Sequence, residues 1–273
     1  MILKELRLFY PHNGLRAVAK HHLDQPDKQV MSVVILAGGL ATRLRPITET
    51  IPKSLVEVAG EPFVVRQLRY LKSQGISTVV MCIGHLGEMI QSVVGDGQNY
   101  GIRVVYSIDG PKLLGTGGAI RQALQRFPRA FGQAFFVLYG DSYLPIDFGL
   151  VQNAFEKSGK PALMTVLKNK NQWDKSNVLF KDHELVEYNK LRPDEGMAHI
   201  DYGLSVLTPK VLDHYALQSS VTGGGSFDLA DVFHKLSKSG QLAGHEVQER
   251  FYEIGSHTGL KEATDYFSRE DKQ

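Results

Sequence analysis

The 273-residue sequence lacks the features that mark disulfide-bonded, membrane-spanning and secreted proteins. It contains one cysteine, so no disulfide can form within the chain. Its apolar runs are far shorter than the roughly 20 residues that a helix needs to cross a bilayer. No apolar signal-peptide segment is visible either. We therefore expect a reduced, cytoplasmic protein with no membrane partner.

The chain also lacks an excess of charge of either sign. Its 31 basic and 29 acidic residues give a net charge of +2, and the basic residues are scattered. A nucleic-acid surface needs a concentrated positive field, so we expect no such partner. The composition leaves the oligomeric state open between a monomer and a small homo-oligomer. The single cysteine, Cys82, lies in an apolar run and is predicted to be a buried, inert thiol.

The most informative segment starts with the apolar run from Val33 to Ala37. A run without polar residues is typical of a strand buried on both faces of a parallel sheet. Gly38 and Gly39 follow, and glycine lets a backbone approach a ligand closely. Arg43 and Lys53 come next, in a loop stiffened by two prolines. A glycine turn with two fixed cations suits a bound polyphosphate, whose oxygens amides and cations can both meet.

From Met31 onward, strand-like and helical patterns alternate, which predicts an α/β fold with a parallel sheet. The predicted strands are 31–37, 77–83, 102–107 and 134–139, and the predicted helices are 62–74, 86–94 and 118–127. This order places the loop from Gly38 to Lys53 at the carboxyl end of the first strand, where such sheets bind ligands.

The second half of the chain is richer in strands. We predict strands at 162–167, 177–180, 184–189 and 199–207, and helices near 209–217 and 227–238. Residues 1–30 do not follow the alternation and form an N-terminal extension, in which Leu15 to Leu23 has the pattern of a short helix.

Two further segments carry candidate site residues. Leu114 to Gly118 is rich in small residues, which suits either a ligand pocket or the tight entry turn of a helix. Asp141 follows the apolar run from Phe135, which places it at the predicted ligand-binding edge as either a site residue or a plain turn residue.

The first segment resembles the opening motif of the sugar-1-phosphate nucleotidyltransferases, Leu-Ala-Gly-Gly-x-Gly-Thr-Arg-Leu-x-Pro-x-Thr followed by Pro-Lys. The sequence departs from it at Ala41, where the family usually has glycine. The resemblance covers about 31–268. It implies a three-layer, Rossmann-like fold similar to GT-A, with a mostly parallel sheet, a nucleotide-binding half (31–145), a sugar-binding half (146–268) and no C-terminal β-helix domain.

The resemblance also implies a site. Arg43, Lys53 and Asp141 would be catalytic, and Asp141 would bind Mg²⁺ together with Glu253, which stands where the family has aspartate. The nucleotide would contact Leu36, Ala37, Gly38, Gly39, Gly115, Thr116, Gly117 and Gly118. The sugar would contact Glu187, Lys190, Asp201 and Gly203.

The activity implied is transfer of a nucleoside monophosphate from a nucleoside triphosphate to a sugar 1-phosphate, with release of pyrophosphate. The form of the segment from Leu114 resembles the guanylyltransferase branch, which favours GTP with a manno-heptose or mannose 1-phosphate. A catalytically silent regulatory subunit that binds nucleotide sugars remains the alternative. A glycosyltransferase is disfavoured because Tyr143 replaces the second aspartate of an Asp-x-Asp motif, and no Gly-Lys-Ser/Thr sequence supports a P-loop.

Overall fold

The computed structural model describes residues 30–110, 114–169, 171–219 and 226–272. The predicted extension, with its helix from Leu15 to Leu23, lies outside the described residues except for Val30. The helices are α1 (Phe63–Ser73), α2 (Gly87–Val94), α3 (Gly115–Arg126), α4 (Phe148–Ser158), α5 (Pro209–Ser219), α6 (Leu229–Lys238) and α7 (His257–Glu270). The strands are β1 (Val33–Ala37), β2 (Glu57–Val58), β3 (Glu61–Pro62), β4 (Thr78–Ile83), β5 (Arg103–Ile108), β6 (Phe135–Tyr139), β7 (Ser142–Tyr143), β8 (Ala162–Lys168), β9 (Val178–Lys181), β10 (Glu184–Tyr188), β11 (His199–Leu207), β12 (Leu242–Val247) and β13 (Tyr252–Glu253).

A nine-stranded sheet organises the described part of the chain, in the order β10-β9-β11-β6-β1-β4-β5. Strand β8 pairs with β11, and β12 pairs with β8. Strands β6, β1, β4 and β5 run parallel, whereas β11 is antiparallel to β6 and β8. The predicted α/β architecture is confirmed, and β1 lies at the centre of its parallel part.

Helices cover both faces of the sheet, which explains the uninterrupted apolar sequences of its central strands. On one face, α1 and α4 pack on the sheet through side chains such as Leu68 and Phe148. On the other, α3, α5 and α6 pack through side chains such as Ile120 and Phe233. Between these layers, Val33 of β1 and Val80 of β4 are completely buried. Such close packing fixes the strand ends from which the site residues project.

The sequence prediction missed the two-residue strands β2, β3, β7 and β13 and three longer elements. Helix α4 begins after Asp147, whose carboxylate accepts a hydrogen bond from the amide of Leu150 at 3.1 Å, as an N-cap does. Strand β12 is hidden in sequence by polar residues such as His245, yet it pairs in parallel with β8. Helix α7 buries Ala263 and Phe267 in a separate small apolar cluster. None of the helices in the described ranges has the length and apolarity to span a membrane.

Candidate active site

The carboxyl edge of the parallel strands brings Lys53 and Asp141 together. The Lys53 Nζ atom lies 2.6 Å from Asp141 Oδ2, and both side chains are 21% exposed. Lys53 opens a short 3₁₀ helix, Lys53–Leu55, beyond the end of β1, and Asp141 directly follows β6 through Gly140. A charge-assisted bond of this length holds both groups in a fixed position that solvent still reaches.

Glu253 reaches the same place from the far end of the chain. Strand β13 pairs with β7, so that Glu253 lies opposite Ser142. The amide of Ile254 then donates to the backbone oxygen of Asp141 at 2.9 Å. The Glu253 side chain lies in a cleft that remains open to solvent. Desolvation by the surrounding protein and the repulsion of Asp141 hold the pKa of its carboxyl well above its usual range, against the opposing effects of Lys53 and Arg43.

Gly255 shows how closely Arg43 approaches this cluster. A Cβ atom at Gly255 would lie 3.2 Å from Arg43 Nη2 and 3.7 Å from Asp141 Oδ2. A side chain there would therefore press on both groups, and the glycine leaves them space. Arg43, Lys53, Asp141 and Glu253, all predicted from the sequence, thus converge in the folded protein.

A cavity of about 300 Å³ extends from Lys53 and Asp141 along the end of β1. Seven of the predicted nucleotide and catalytic residues line it together with Lys53: Leu36, Ala37, Gly38, Gly39, Gly115, Thr116 and Asp141. Residues that the sequence interpretation did not select also line it: Ser54, Cys82, Asp109, Leu114, Ala119, Tyr139, Gly140 and Asp228. The cavity is large enough for part of a nucleotide and ends at the Lys53–Asp141 pair.

Gly117 and Gly118 do not line the cavity in this structure. Their amides donate to the backbone oxygen of Phe227 at 3.0 and 3.2 Å. A Cβ atom at Gly117 would lie 2.3 Å from the Phe227 ring, so packing alone requires a glycine there. Both interpretations of the segment therefore apply: Gly115 and Thr116 line the cavity, while Gly115 and Gly117 also lie too close to Phe227 to carry a side chain.

Asp109 is the clearest site residue that the sequence interpretation missed. It follows β5 directly, and its Oδ2 atom lies 3.0 Å from the position that a Cβ atom of Gly38 would occupy. Its Oδ1 atom is buried and has no hydrogen-bond partner in the described part of the protein. Burial raises the pKa of this carboxyl, and Arg126 opposes the increase. Like Asp141, it is an aspartate just beyond a parallel strand, but β5 is a partly exposed edge strand and gives a weaker signal than β6.

The predicted sugar residues divide into two groups. Asp201 and Gly203 lie on β11, where the Asp201 carboxylate accepts a bond from the Gly203 amide at 3.0 Å. Gly203 has a φ of +105°, and the pairing of β11 with β8 shifts register here. This is a conformation suited to glycine. Burial raises the pKa of Asp201 to about 6, with the Gly203 amide and Lys190 opposing.

Glu187 and Lys190 are placed nearer the surface. Glu187 pairs with Lys238 of α6 at 3.2 Å, and Lys190 is exposed. Neither residue lines the cavity in this structure. Cys82 is buried as predicted, and burial raises the pKa of its thiol to about 12, so it is not a nucleophile at neutral pH.

The two carboxylates of Asp141 and Glu253 fit a divalent cation. Desolvation first, and then the charge of Asp141, raise the pKa of the Glu253 carboxyl, and a cation bound between the two groups would favour its ionised form. Within the described ranges, no three His, Cys, Asp or Glu side chains gather into a metal site of their own. Hard cations such as Mg²⁺ are often held by one or two carboxylates and completed by water and substrate phosphates.

Two carboxylates, a lysine and an arginine thus lie beyond the strand ends of a mostly parallel sheet, beside a cavity. The chain matches the family model described as Nucleotidyl transferase over residues 32–270. It belongs to this family, and the resemblance predicted from the sequence is confirmed. Members of this family generally use a divalent metal.

Individual relatives define the class further. The N-acetylmuramate alpha-1-phosphate uridylyltransferase of Neisseria meningitidis serogroup B is 30% identical over 85% of this chain and 96% of its own length. The D-glycero-alpha-D-manno-heptose 1-phosphate guanylyltransferase of Campylobacter jejuni is 31% identical over 69% of this chain and 80% of its own length. The chain spans 53–65% of the length of several other curated relatives.

A solved structure confirms the fold. The crystal structure of HddC from Yersinia pseudotuberculosis superposes with a TM-score of 0.71 at 23% identity, over 87% of this chain and 99% of that one. The relatives are sugar-1-phosphate nucleotidyltransferases that differ in the base they transfer, so the enzyme class is shared while the substrates vary.

Proposed function

We propose that this protein transfers GMP from GTP to a manno-heptose or mannose 1-phosphate and releases pyrophosphate. The convergence of Lys53, Asp141, Arg43 and Glu253 beside the cavity is the observation that supports this reaction. A silent regulatory subunit would have no need to keep all four charged groups together.

The chemistry asks little of acid–base groups, because the attacking sugar phosphate is already an anion. It attacks the α-phosphorus in line, a new P–O bond forms, and the bond to pyrophosphate breaks. Catalysis then depends on positioning and on neutralising charge. In this proposal Arg43 holds the β- and γ-phosphates. Lys53 holds the sugar phosphate and the charge that develops on the α-phosphate.

The Lys53–Asp141 ion pair must rearrange when substrates bind. In this structure the Lys53 ammonium group forms an ion pair with the Asp141 carboxylate, with Nζ 2.6 Å from Oδ2. A phosphate oxygen competes for the same ammonium group, and its arrival frees the carboxylate. Mg²⁺ held by Asp141 and Glu253 would then neutralise phosphate oxygens and orient them. The ion pair therefore keeps both groups in position until the substrates replace it.

Asp109 supports guanine as the base. Guanine presents two adjacent donors, N1–H and the 2-amino group, which a carboxylate accepts together. Uracil and thymine present a single N–H between two carbonyl oxygens, which a carboxylate repels. Asp109 lines the cavity with its Oδ2 atom beside Gly38, so a base that offers two donors to this carboxylate is favoured over one that offers a carbonyl oxygen. The relative from Campylobacter jejuni is named as a guanylyltransferase and the one from Neisseria meningitidis as a uridylyltransferase, so the base has to be tested directly.

The test measures pyrophosphate release with GTP, ATP, UTP, CTP and dTTP against mannose 1-phosphate and a manno-heptose 1-phosphate. We expect the highest kcat/KM with GTP, and a loss of about 10- to 100-fold in its preference over ATP and UTP in Asp109→Asn. Asp265→Asn, on the exposed side of α7, serves as the matched control. A pyrimidine nucleotide preferred by the wild type would refute the base assignment. Nucleotide binding without turnover of any pair would favour the regulatory alternative.

A further inference from the structure

Asp228 occupies an unusual position at the start of α6. It precedes Leu229 in the place of an N-cap, but its side chain makes no capping bond to its own helix. Instead, its Oδ1 atom accepts hydrogen bonds from the amide and the hydroxyl of Thr116, at 3.0 and 3.2 Å. The residue thus uses one carboxylate oxygen to join the second half of the chain to the start of α3.

The surrounding bonds hold this carboxylate firmly. The amide of Leu229 donates to Thr116 Oγ1 at 2.8 Å, and the amide of Phe227 donates to the oxygen of Leu114 at 3.0 Å. With the bonds from Gly117 and Gly118 to Phe227, residues 227–229 are fixed on both sides of Asp228. Its carboxylate is therefore preorganised rather than free to rotate.

The other carboxylate oxygen is unused. Asp228 lines the cavity, and its Oδ2 atom has no hydrogen-bond partner within the described ranges. Tyr139 lines the same cavity, and among the described residues its hydroxyl makes no hydrogen bond either. Burial, followed by the charges of Asp201, Asp141 and Asp228, raises the pKa of Tyr139, so its hydroxyl stays protonated and can donate. The cavity wall thus offers one acceptor and one donor.

A substrate hydroxyl is the group that such a pair fits, because it donates one hydrogen bond and accepts others. We propose that Asp228 and Tyr139 bind a ring hydroxyl of a substrate, with Asp228 accepting and Tyr139 donating. The inference rests on the proposed function, since both substrates of that reaction carry such rings. The hydroxyl belongs either to the ribose of the nucleotide or to the transferred sugar, and the two sources can be separated experimentally.

Asp228→Asn is the informative variant. The asparagine oxygen can still accept from Thr116, so the link to α3 is kept, while an NH₂ donor replaces the free acceptor. The measurement is the ratio of kcat/KM between a substrate and its deoxy analogue. One set uses GTP against 2′-deoxy- and 3′-deoxy-GTP. The other uses mannose 1-phosphate against its 2-, 3-, 4- and 6-deoxy analogues.

We expect the wild type to prefer one hydroxyl-bearing substrate over its deoxy analogue by about 10- to 100-fold. Asp228→Asn should bring that ratio close to one, and Tyr139→Phe should lower the ratio for the same hydroxyl. A change confined to the deoxynucleotides assigns the ribose, and one confined to the deoxy sugars assigns the transferred sugar.

Thr116→Val is the control for the hydrogen bonds between Thr116 and Asp228. It removes the hydroxyl of Thr116 but keeps the unpaired Oδ2 atom of Asp228, so it should lower all rates without changing the ratio.

Equal loss of activity with every substrate and analogue in Asp228→Asn would overturn the inference and leave Asp228 as a purely structural link. Failure of the proposed function would look different, because the wild type would then not turn over GTP with mannose 1-phosphate. In that case the same ratios are measured with the nucleotide and sugar 1-phosphate that the substrate panel selects, or from equilibrium binding of the nucleotide and its deoxy forms.

Discussion

The two halves of the described chain contribute to the site in different ways. The first half provides Arg43 and Lys53 from one continuous loop after β1, a strand that is buried on both faces. The second half provides Asp228 and Glu253 from two separate segments. The residues of the first half are placed by local chain geometry. Those of the second half are placed by contacts with the first.

The difference lies in what holds each group. Strand β1 pairs with β4 and β6 on its two sides, so the loop that follows it begins from a rigid edge. Glu253, in contrast, depends on the pairing of β13 with β7 and on the bond from Ile254 to Asp141. Substitutions of Arg43 and Lys53 in the first-half loop should therefore affect mainly the chemistry. Substitutions in the second half should alter metal response, specificity and stability.

The largest effect is expected from Lys53→Ala. It removes a preorganised charge from a solvent-accessible position, and such a contact contributes roughly 3–4 kcal/mol to the transition state, or about 10²–10³ in kcat. The thermal unfolding of the variant should stay close to that of the wild type. Lys261→Ala, exposed on α7, is the control for loss of a positive charge. Pyrophosphate release near the wild-type rate would refute the role of Lys53.

The next effect compares the two carboxylates from the two halves. Asp141→Asn should raise the Mg²⁺ concentration needed for half-maximal activity by at least about tenfold, because a neutral amide is a poor ligand for a hard cation. Glu253→Gln should act in the same direction but more weakly, since Glu253 is held less rigidly. A magnesium titration of activity measures both. An unchanged titration in Glu253→Gln alone would mean that Asp141 is the sole protein carboxylate on the metal.

The same contrast explains what sequence could and could not predict. Asp141 lies just beyond β6, and Arg43 and Lys53 belong to the one loop that follows β1, so strand order predicts that they meet at one edge of the sheet. Asp109 also lies just beyond a parallel strand. Only the folded structure shows that its carboxylate lies beside Gly38, at the end of a different strand. Asp228 has no local signal, because its partner Thr116 is 112 residues away.

Some elements of the fold could likewise be predicted from the sequence, whereas others could not. The central strands were predicted within one or two residues, since burial on both faces leaves a clear apolar run. Strand β12 carries Gly244, His245 and Glu246 and is recognisable only through its pairing with β8. The packing of Gly117 against Phe227 could not be predicted either. In a sequence, a glycine that is needed for packing looks the same as one that lets a ligand approach.

A smaller effect concerns stability in the second half. Folding raises the pKa of Asp201 from an ordinary value near 4 to about 6. Between pH 4 and 6, Asp201 is therefore protonated in the folded protein but ionised in the unfolded chain. The contribution of this residue to the free energy of unfolding falls as pH rises through that range. Asp201→Asn should remove that loss. At pH 7–8, the free energy of unfolding of the variant should therefore be about 2–3 kcal/mol higher than that of the wild type.

Urea unfolding of both proteins at pH 4 and pH 7.5 tests this prediction, with Asp265→Asn as the exposed control. The asparagine oxygen can still accept from Gly203, so the local structure is preserved. A difference between variant and wild type that is the same at both pH values would contradict the assigned cause.

The smallest effect is expected at Ala41, where the sequence departs from the family motif. Its φ of +49° and ψ of +42° are left-handed, a conformation that glycine adopts without the steric cost borne by a Cβ atom. Ala41→Gly should stabilise the protein by about 0.5–1 kcal/mol, or raise Tm by about 1–4 °C. Calorimetry measures the change, and Ala154→Gly within α4 should do the opposite. A lower Tm in Ala41→Gly would show that the alanine is unstrained.

The link between residues 227–229 and the start of α3 has a consequence for how the protein is made. As the chain leaves the ribosome, residues 116–118 emerge long before Phe227 and Asp228. Until then, the amides of Thr116, Gly117 and Gly118 and the Thr116 hydroxyl lack the acceptors they have in the finished fold. A nascent or truncated chain that ends at residue 145 would display these donors to water, with one wall of the cavity missing. Nucleotide should therefore bind only after translation has passed α6, which would protect an unfinished chain from binding substrate too early.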